Sequence, residues 1–188
     1  MHVNPAAGSL AVTAYANLFS GAVLTLYSGA IPASSSTAIT TQTPLVSYTF
    51  RAPGFVGTPG SDILAASLVT ALGSPVGNGV ATWARAVLSA APWVTATSYA
   101  RGALVTSGSN LYVCIVPGVS ETAPTAVAYA IADWAIYWDY VGPAGTLVLA
   151  DYTVGAGGSG SDIILNAVGI SIGVNVILAG FSIQVQVV

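Results

Sequence analysis

Hydrophobic positions in this chain alternate with small or polar ones over short runs, and clusters of Gly, Pro and Ser separate the runs. Period-two alternation puts successive side chains on opposite faces of an extended strand. The pattern predicts strands over 22–27, 45–50, 80–89, 146–154, 162–168, 169–178 and 181–188. The run 63–72 (ILAASLVTAL) fits a strand or a short helix equally well, and 8–19 (GSLAVTAYANLF) predicts one short N-terminal helix with Ser9 as its cap. Residues 30–44 form a polar loop bounded by prolines, and 52–62 (APGFVGTPGSD) is rich in turn residues. Near the end of the chain the apolar residues occupy even positions (Ile170, Ile172, Val174, Val176) and then odd ones (Phe181, Ile183, Val185, Val187). An uninterrupted strand keeps its parity, so a bulge or turn is expected across Leu178, Ala179 and Gly180. About seven strands and one peripheral helix predict an all-β protein, either a β-sandwich or a small β-barrel.

One segment departs from this texture. Residues 92–142 hold three of the four tryptophans (Trp93, Trp134, Trp138) and five of the nine tyrosines (Tyr99, Tyr112, Tyr129, Tyr137, Tyr140). Without it, VATWARAVLSA would run into GTLVLADYTVG, which reads as a β-hairpin whose tip has been replaced. Loop tips are where insertions are tolerated. The expected organisation is a β core formed by 1–91 with 143–188, and a small inserted aromatic-rich β module at 92–142.

Charge sharpens the picture. Only 5% of the 188 residues are charged, none is lysine, and the formal net charge is -3. A soluble domain ordinarily carries about a quarter charged residues, so this surface is expected to be covered by neighbours in an assembly. Three scattered arginines (Arg51, Arg85, Arg101) cannot build a phosphate-binding surface, which argues against nucleic acid as a partner. The mean hydropathy of +0.79 raises a membrane reading. The most apolar stretch, 163–188, is broken by Asn and Gly and alternates as a strand does, so no spanning helix is expected. An outer-membrane barrel predicts aromatic girdles at strand ends, whereas the aromatics here cluster in one segment, and that reading stays a minor alternative. Cys114 is the only cysteine, so no intramolecular disulfide is possible and the redox compartment stays open, while an N-terminus without a basic signal-like region makes assembly in a cytoplasm the expectation.

Tests for catalytic chemistry return little. The run 155–160 (GAGGSG) fits the spacing of a dinucleotide fingerprint, but no acidic residue follows Asp162, and the run reads as a turn. His2 is the only histidine and stands at the N-terminus, so no triad has a base. Cys114 lies in an apolar run and reads as a small buried hydrophobe. No Cys/His/carboxylate cluster predicts a metal site, and the spacing of Asp151 and Asp162 fits no calcium loop. Asp133 and Asp139 bracket Trp134 and Trp138, an arrangement a two-carboxylate glycosidase would need on a larger scaffold. The expectation is a protein without catalytic residues, metal or cofactor. Trp83 and Arg85 share one strand face, where Arg85 is expected either to pair with Asp151 or Asp162 as a structural ion pair or to contact a neighbouring subunit.

Both parts resemble known families. The insert opens at Trp93, continues through Tyr99, Gly102 with Val105, Gly108, Tyr112 and Gly118 with Ser120, and closes at Trp134 or Trp138. This order resembles the small chitin-binding kind of carbohydrate-binding module. The resemblance implies sugar contact through aromatic rings, with Trp93, Tyr99, Tyr112, Trp134 and Trp138 as the candidates; the competing expectation makes Trp93, Tyr112 and Trp138 the core of a very small module. The remainder carries LYSG at 26–29 before a Pro-containing loop, GVATWAR at 79–85, DYTVG at 151–155, Ser161 with Asp162, and GFSI at 180–183. These marks are similar to those of a family of tailed-phage virion proteins often encoded near the major capsid protein. The resemblance implies a capsid cement or decoration protein located in the virion, partnered by the major capsid protein and by its own copies as a homo-oligomer, for instance a trimer. The alternative it leaves is a tail or surface adhesion protein that binds host glycans through the insert.

Overall fold

The computed structural model describes residues 17–57, 63–68 and 72–184. The chain is nearly all β and divides into two compact units, Met1–Leu88 with Val148–Val188, and Ser89–Leu147.

The first unit contains β1 (Val23–Ser28), β2 (Thr43–Gly57), β3 (Ile63–Leu68), β4 (Leu72–Gly73), β5 (Gly79–Val80) and β6 (Trp83–Ser89). The second contributes β7 (Ala91–Pro92), β8 (Thr97–Tyr99), β9 (Leu104–Ser107), β10 (Asn110–Val116), β11 (Gly118–Ser120), β12 (Ile131–Asp133) and β13 (Ile136–Pro143). The chain then completes the first unit with β14 (Thr146–Ala156), β15 (Ile163–Leu165), β16 (Gly169–Ile170) and β17 (Val176–Gln184).

In the first unit the strands follow one another in the order β15-β14-β6-β1-β2-β3-β17, and β17 also pairs with β15. Seven strands thus form a nearly closed, barrel-like sheet. Its interior is filled by the inward half of each alternation. Leu24 and Leu26 of β1 lie opposite Ala86 and Ala84 of β6, a large-to-small pairing that lets the two strands interdigitate. Further along, Phe19, Phe50, Phe55, Tyr152 and Phe181 form a run of rings 4.7 to 6.1 Å apart, mostly edge to face. Each such ring is worth about 3–5 kcal/mol if truncated to Ala. This lumen is apolar, the reverse of the polar lumen of an outer-membrane barrel. Among the described residues no helix is long and apolar enough to cross a membrane.

The expected parity change is a bulge. Ile164 lies opposite Gly180 and Leu165 opposite Leu178, leaving Ala179 without a counterpart. Three expectations change. The helix at 8–19 is not supported: most of it lies outside the described residues, and of the described ones only 17–18 are helical before the turn at 19–21. The turn-rich stretch 52–62 is strand as far as Gly57, because β2 resumes its pairing with β3 at Phe55 after the cis Ala52–Pro53 peptide. The strand expected over 169–178 is interrupted by a turn at 172–174, with Gly173 at a φ of 89°. The ambiguous run at 63–72 contains β3 and the first residue of β4.

The glycine run at 155–160 has a mechanical use. β14 and β15 run parallel, although a parallel connection ordinarily needs a dozen or more residues. Here only 157–162 connect them, so the loop folds back tightly on the strand. A Cβ on Gly155 would overlap the Ser159 and Ser161 hydroxyls, and Gly158 and Gly160 turn the chain at positive φ.

The second unit is built on the sheet β12-β13-β10-β9-β7 and a two-stranded ribbon, β8 with β11. Its core is Val105, Tyr112, Cys114, Ile136 and Trp138, with Trp93, Tyr99, Ala103, Ile131 and Tyr140 packed against it. A module this small has few positions to bury and fills them with large rings.

Tyr48 gives the barrel a measurable alkaline limit. Its ring is buried and its hydroxyl donates to the Val176 carbonyl at 3.1 Å, while burial pushes the phenol up to about 12. The folded chain therefore holds this proton more tightly than the unfolded chain, whose phenol titrates near its ordinary value. The resulting stability is present below about pH 10 and is lost as pH rises through about 12, up to about 2–3 kcal/mol. Urea midpoints measured across that range should fall, and Tyr48→Phe should flatten the fall while costing about 1 kcal/mol at neutral pH.

Candidate functional site

Two clusters gather the candidate residues, one in each unit. In the barrel, Arg85 lies on β6 opposite Thr25, on the face turned away from Leu24 and Leu26. Its Nε donates to Asp151 Oδ1 at 2.6 Å and its Nη2 to Asp151 Oδ2 at 2.8 Å, a two-pronged pair of a kind that is both strong and directional. Nη1 donates to the Thr37 carbonyl at 2.9 Å and Nη2 also reaches the Ser34 carbonyl at 3.4 Å. The guanidinium carbon stands 5.5 Å from the centre of the Trp83 ring, and that ring stacks on Tyr27 at 4.6 Å. Arg85 is buried, and its hydrogen bonds to Asp151 hold its pKa above the ordinary arginine value. The loop between β1 and β2 is thereby fastened over the outer face of the barrel by its own carbonyls. Asp162 is not the partner of Arg85. Its Oδ2 accepts from the Thr153 amide and hydroxyl, both at 2.8 Å, and so pins the base of the loop from β14 to β15.

In the second unit the five aromatic candidates separate by burial. Tyr112 and Trp138 are wholly enclosed and line the core, which removes them as sugar-contacting rings. Tyr99 is half-buried, sits edge-on to Trp138 at 5.1 Å, and exchanges hydrogen bonds with the backbone of Val94. Trp93 is half-buried and its Nε1 donates to Ser120 Oγ at 2.6 Å. Only Trp134 stands out in solvent, 85% exposed. It opens the two-residue turn between Asp133 and Ile136 at a φ of 55°, a conformation that favours glycine.

Asp133 and Asp139 lie on opposite faces of the hairpin and do not flank a common cleft. Asp133 is buried and accepts from Ser120 Oγ at 2.6 Å, from the Glu121 amide at 3.1 Å and from the Thr122 amide at 3.0 Å. Asp139 accepts from the Ala130 amide at 2.6 Å. Both carboxylates therefore serve the backbone. Burial raises the Cys114 pKa, and its Sγ lies 3.3 Å from the Val116 carbonyl, as suits an unreactive thiol. Among the described residues no three His, Cys, Asp or Glu side chains stand close enough to hold a metal ion.

Sequence reasoning named Ser120, Asp133 and Tyr129 but not their arrangement, and it missed the Ser34 and Thr37 carbonyls. Ser120 and Asp133 with Trp93 form a buried polar chain, and nothing in the residue order announces that Ser120 and Asp133 meet. Tyr129 is 82% exposed, on the segment that enters the hairpin of Trp134. The carbonyls of Ser34 and Thr37 are backbone groups and leave no side-chain signal. No protein-family model matches the chain, and neither curated proteins nor solved structures give a significant match.

The ion pair carries a stability prediction. Asp151→Asn leaves a buried guanidinium without its countercharge and should cost about 3–5 kcal/mol in a denaturant titration. The double change Arg85→Met with Asp151→Leu should recover most of that loss. An Asp151→Asn protein as stable as the parent would mean that the pair does not hold the loop.

Proposed function

We propose that the protein is a non-enzymatic structural subunit of a tailed-phage virion, a capsid cement or decoration protein that docks as a homo-oligomer on capsomers of the major capsid protein. One observation carries this reading. Among the described residues eighteen large hydrophobic side chains are exposed, against four exposed charged ones: Arg51, Arg101, Glu121 and Asp162. Such an exterior is suited to being covered, and neighbouring subunits would cover it. The residue runs at 26–29, 79–85, 151–155 and 180–183 give the reading its phage direction through their resemblance to virion proteins. The barrel interior is packed with side chains, so the working surface is the outside.

Mechanistically, cement action needs no chemistry. Apolar area withdrawn from water contributes about 25 cal/mol per Å² before the cost of association. Repetition around a symmetric oligomer turns weak docking into firm attachment. The chain would be assembled in the host cytoplasm and reside in the virion. Mass spectrometry of gradient-purified particles should find it at a fixed stoichiometry to the shell protein, and particles made without it should lose heat resistance. Particles free of the chain would defeat the reading.

A second reading, adhesion to host glycans through the insert, is favoured by Trp134. A ring held in solvent by a strained turn is hard to explain by stability alone, and aromatic faces cover the C–H surface of pyranose rings. Trp134→Gly should raise the stability of the protein by about 1 kcal/mol by relieving the turn. Both Trp134→Gly and Trp134→Ala should abolish retention on insoluble chitin or peptidoglycan if the ring binds sugar. Equal retention of parent and variants, or none by the parent, would dismiss this role.

A further inference from the structure

Asn78 is the one asparagine of this chain that is followed by glycine. A glycine has no Cβ to shield its backbone nitrogen, so the side-chain carbonyl carbon of a preceding asparagine can close a five-membered ring onto that nitrogen. The fold adds particulars of its own. Asn78 is exposed, just ahead of β5, and its Oδ1 accepts from the Ile172 amide at 2.8 Å. A tight turn fixes that amide: the Val174 amide donates to the Ser171 carbonyl at 3.1 Å, and Gly173 has a φ of 89°, as the second central residue of a type II turn does. Ring closure would turn Oδ1 into an oxyanion, and a backbone N–H held at this distance stabilises such a charge as it develops. The attacking nitrogen belongs to Gly79, which lies opposite Ile170 in a ladder two residue pairs long. On the near side of Asn78 the Val76 and Gly77 amides donate to the Leu45 carbonyl, at 2.7 and 3.3 Å, so the end of this short ladder opens at low cost. Packing keeps the glycine in place, because a Cβ there would press within 3.3 Å of Leu45 Cδ2 and 3.4 Å of Ser28 Cβ.

We infer that Asn78 is a site of self-modification, where the folded chain converts an amide into an acid through a succinimide. The Gly79 nitrogen loses its proton and bonds to Asn78 Cγ, the Cγ–Nδ2 bond breaks, and ammonia leaves with that proton. Solvent water, the only co-reactant, then opens the ring. Attack at Cγ gives aspartate, and attack at the backbone carbonyl carbon gives isoaspartate. Either product places a carboxylate in the stretch 63–84, which together with 163–188 contains no charged residue. Aspartate can still accept from the Ile172 amide. Isoaspartate lengthens the backbone by one carbon between 78 and 79 and so displaces β5 from β16.

Peptide mapping by mass spectrometry, on the folded full chain held for days at mildly alkaline pH, tests the inference. Cleavage after Arg51 and Arg85 releases residues 52–85, in which Asn78 is the only asparagine. That peptide should acquire the mass of the acid while Asn110, Asn166 and Asn175 remain amides. Asn78→Gln, whose ring would have six members, should lose the conversion. Ile172→Pro suits the first central position of a type II turn and removes the N–H at an exposed residue. It should slow the conversion roughly tenfold, with circular dichroism unchanged. No acid at position 78 in the folded chain overturns the inference, even where the urea-unfolded chain forms it, since the fold would then be protecting the pair. Equal conversion at the other asparagines, or a folded Ile172→Pro protein that converts as fast as the parent, overturns it as well.

Discussion

Arg85 is a buried cation in a chain with very few charges, and the arrangement of the barrel's outer face depends on how it is satisfied. Its guanidinium has five donors and no capacity to lose its proton. Asp151 supplies the countercharge from β14, and the Ser34 and Thr37 carbonyls supply further acceptors from the loop after β1. One side chain therefore ties β6, β14 and a loop that has no sheet partner. Trp83, stacked on Tyr27, adds an aromatic face 5.5 Å from the guanidinium carbon. In a charge-rich protein such a pair would be one among many. Here β14 carries a single acid, and a lost partner has no substitute within that strand.

That economy extends to the rest of the molecule. The barrel is filled by alternating small and large side chains and by a run of aromatic rings, with the Tyr48 hydroxyl bonded to the Val176 carbonyl. The second unit, with fewer positions to bury, relies on tryptophan and tyrosine and adds the chain from Trp93 through Ser120 to Asp133. Buried Trp83 and Trp138 keep ring N–H groups without a hydrogen-bond partner, and the exterior is neutral and in places strongly apolar. A surface of that kind makes sense where other subunits complete it.

How far the residue order foretold this can be argued from particular positions. The bulge at Ala179 was legible, because side-chain parity in a strand is rigid and the switch from Val176 to Phe181 had to be absorbed somewhere. The partner of Arg85 was legible only to within two candidates. Choosing Asp151 over Asp162 needs the course of β14 against β6 and the tight loop that gives Asp162 to Thr153. Ile172 and Val174 misled, because alternation reports the faces of a strand and cannot say whether a neighbouring strand is present to cover one of them. Trp134 and Trp138 are four residues apart with similar neighbours, yet one is in solvent and the other is fully enclosed. The turn at 134–135 separates them, and nothing short of the fold reveals it.

The central claim is that the neutral exterior is completed by a phage shell. Cryo-electron microscopy of intact particles tests it most directly. The account predicts ordered density for the barrel at repeated positions on the capsid lattice, with its aliphatic and aromatic surface patches against protein neighbours. Density confined to the tail fibres, with Trp134 turned toward the host, would contradict the cement role, and particles without any such density would contradict the virion assignment as a whole.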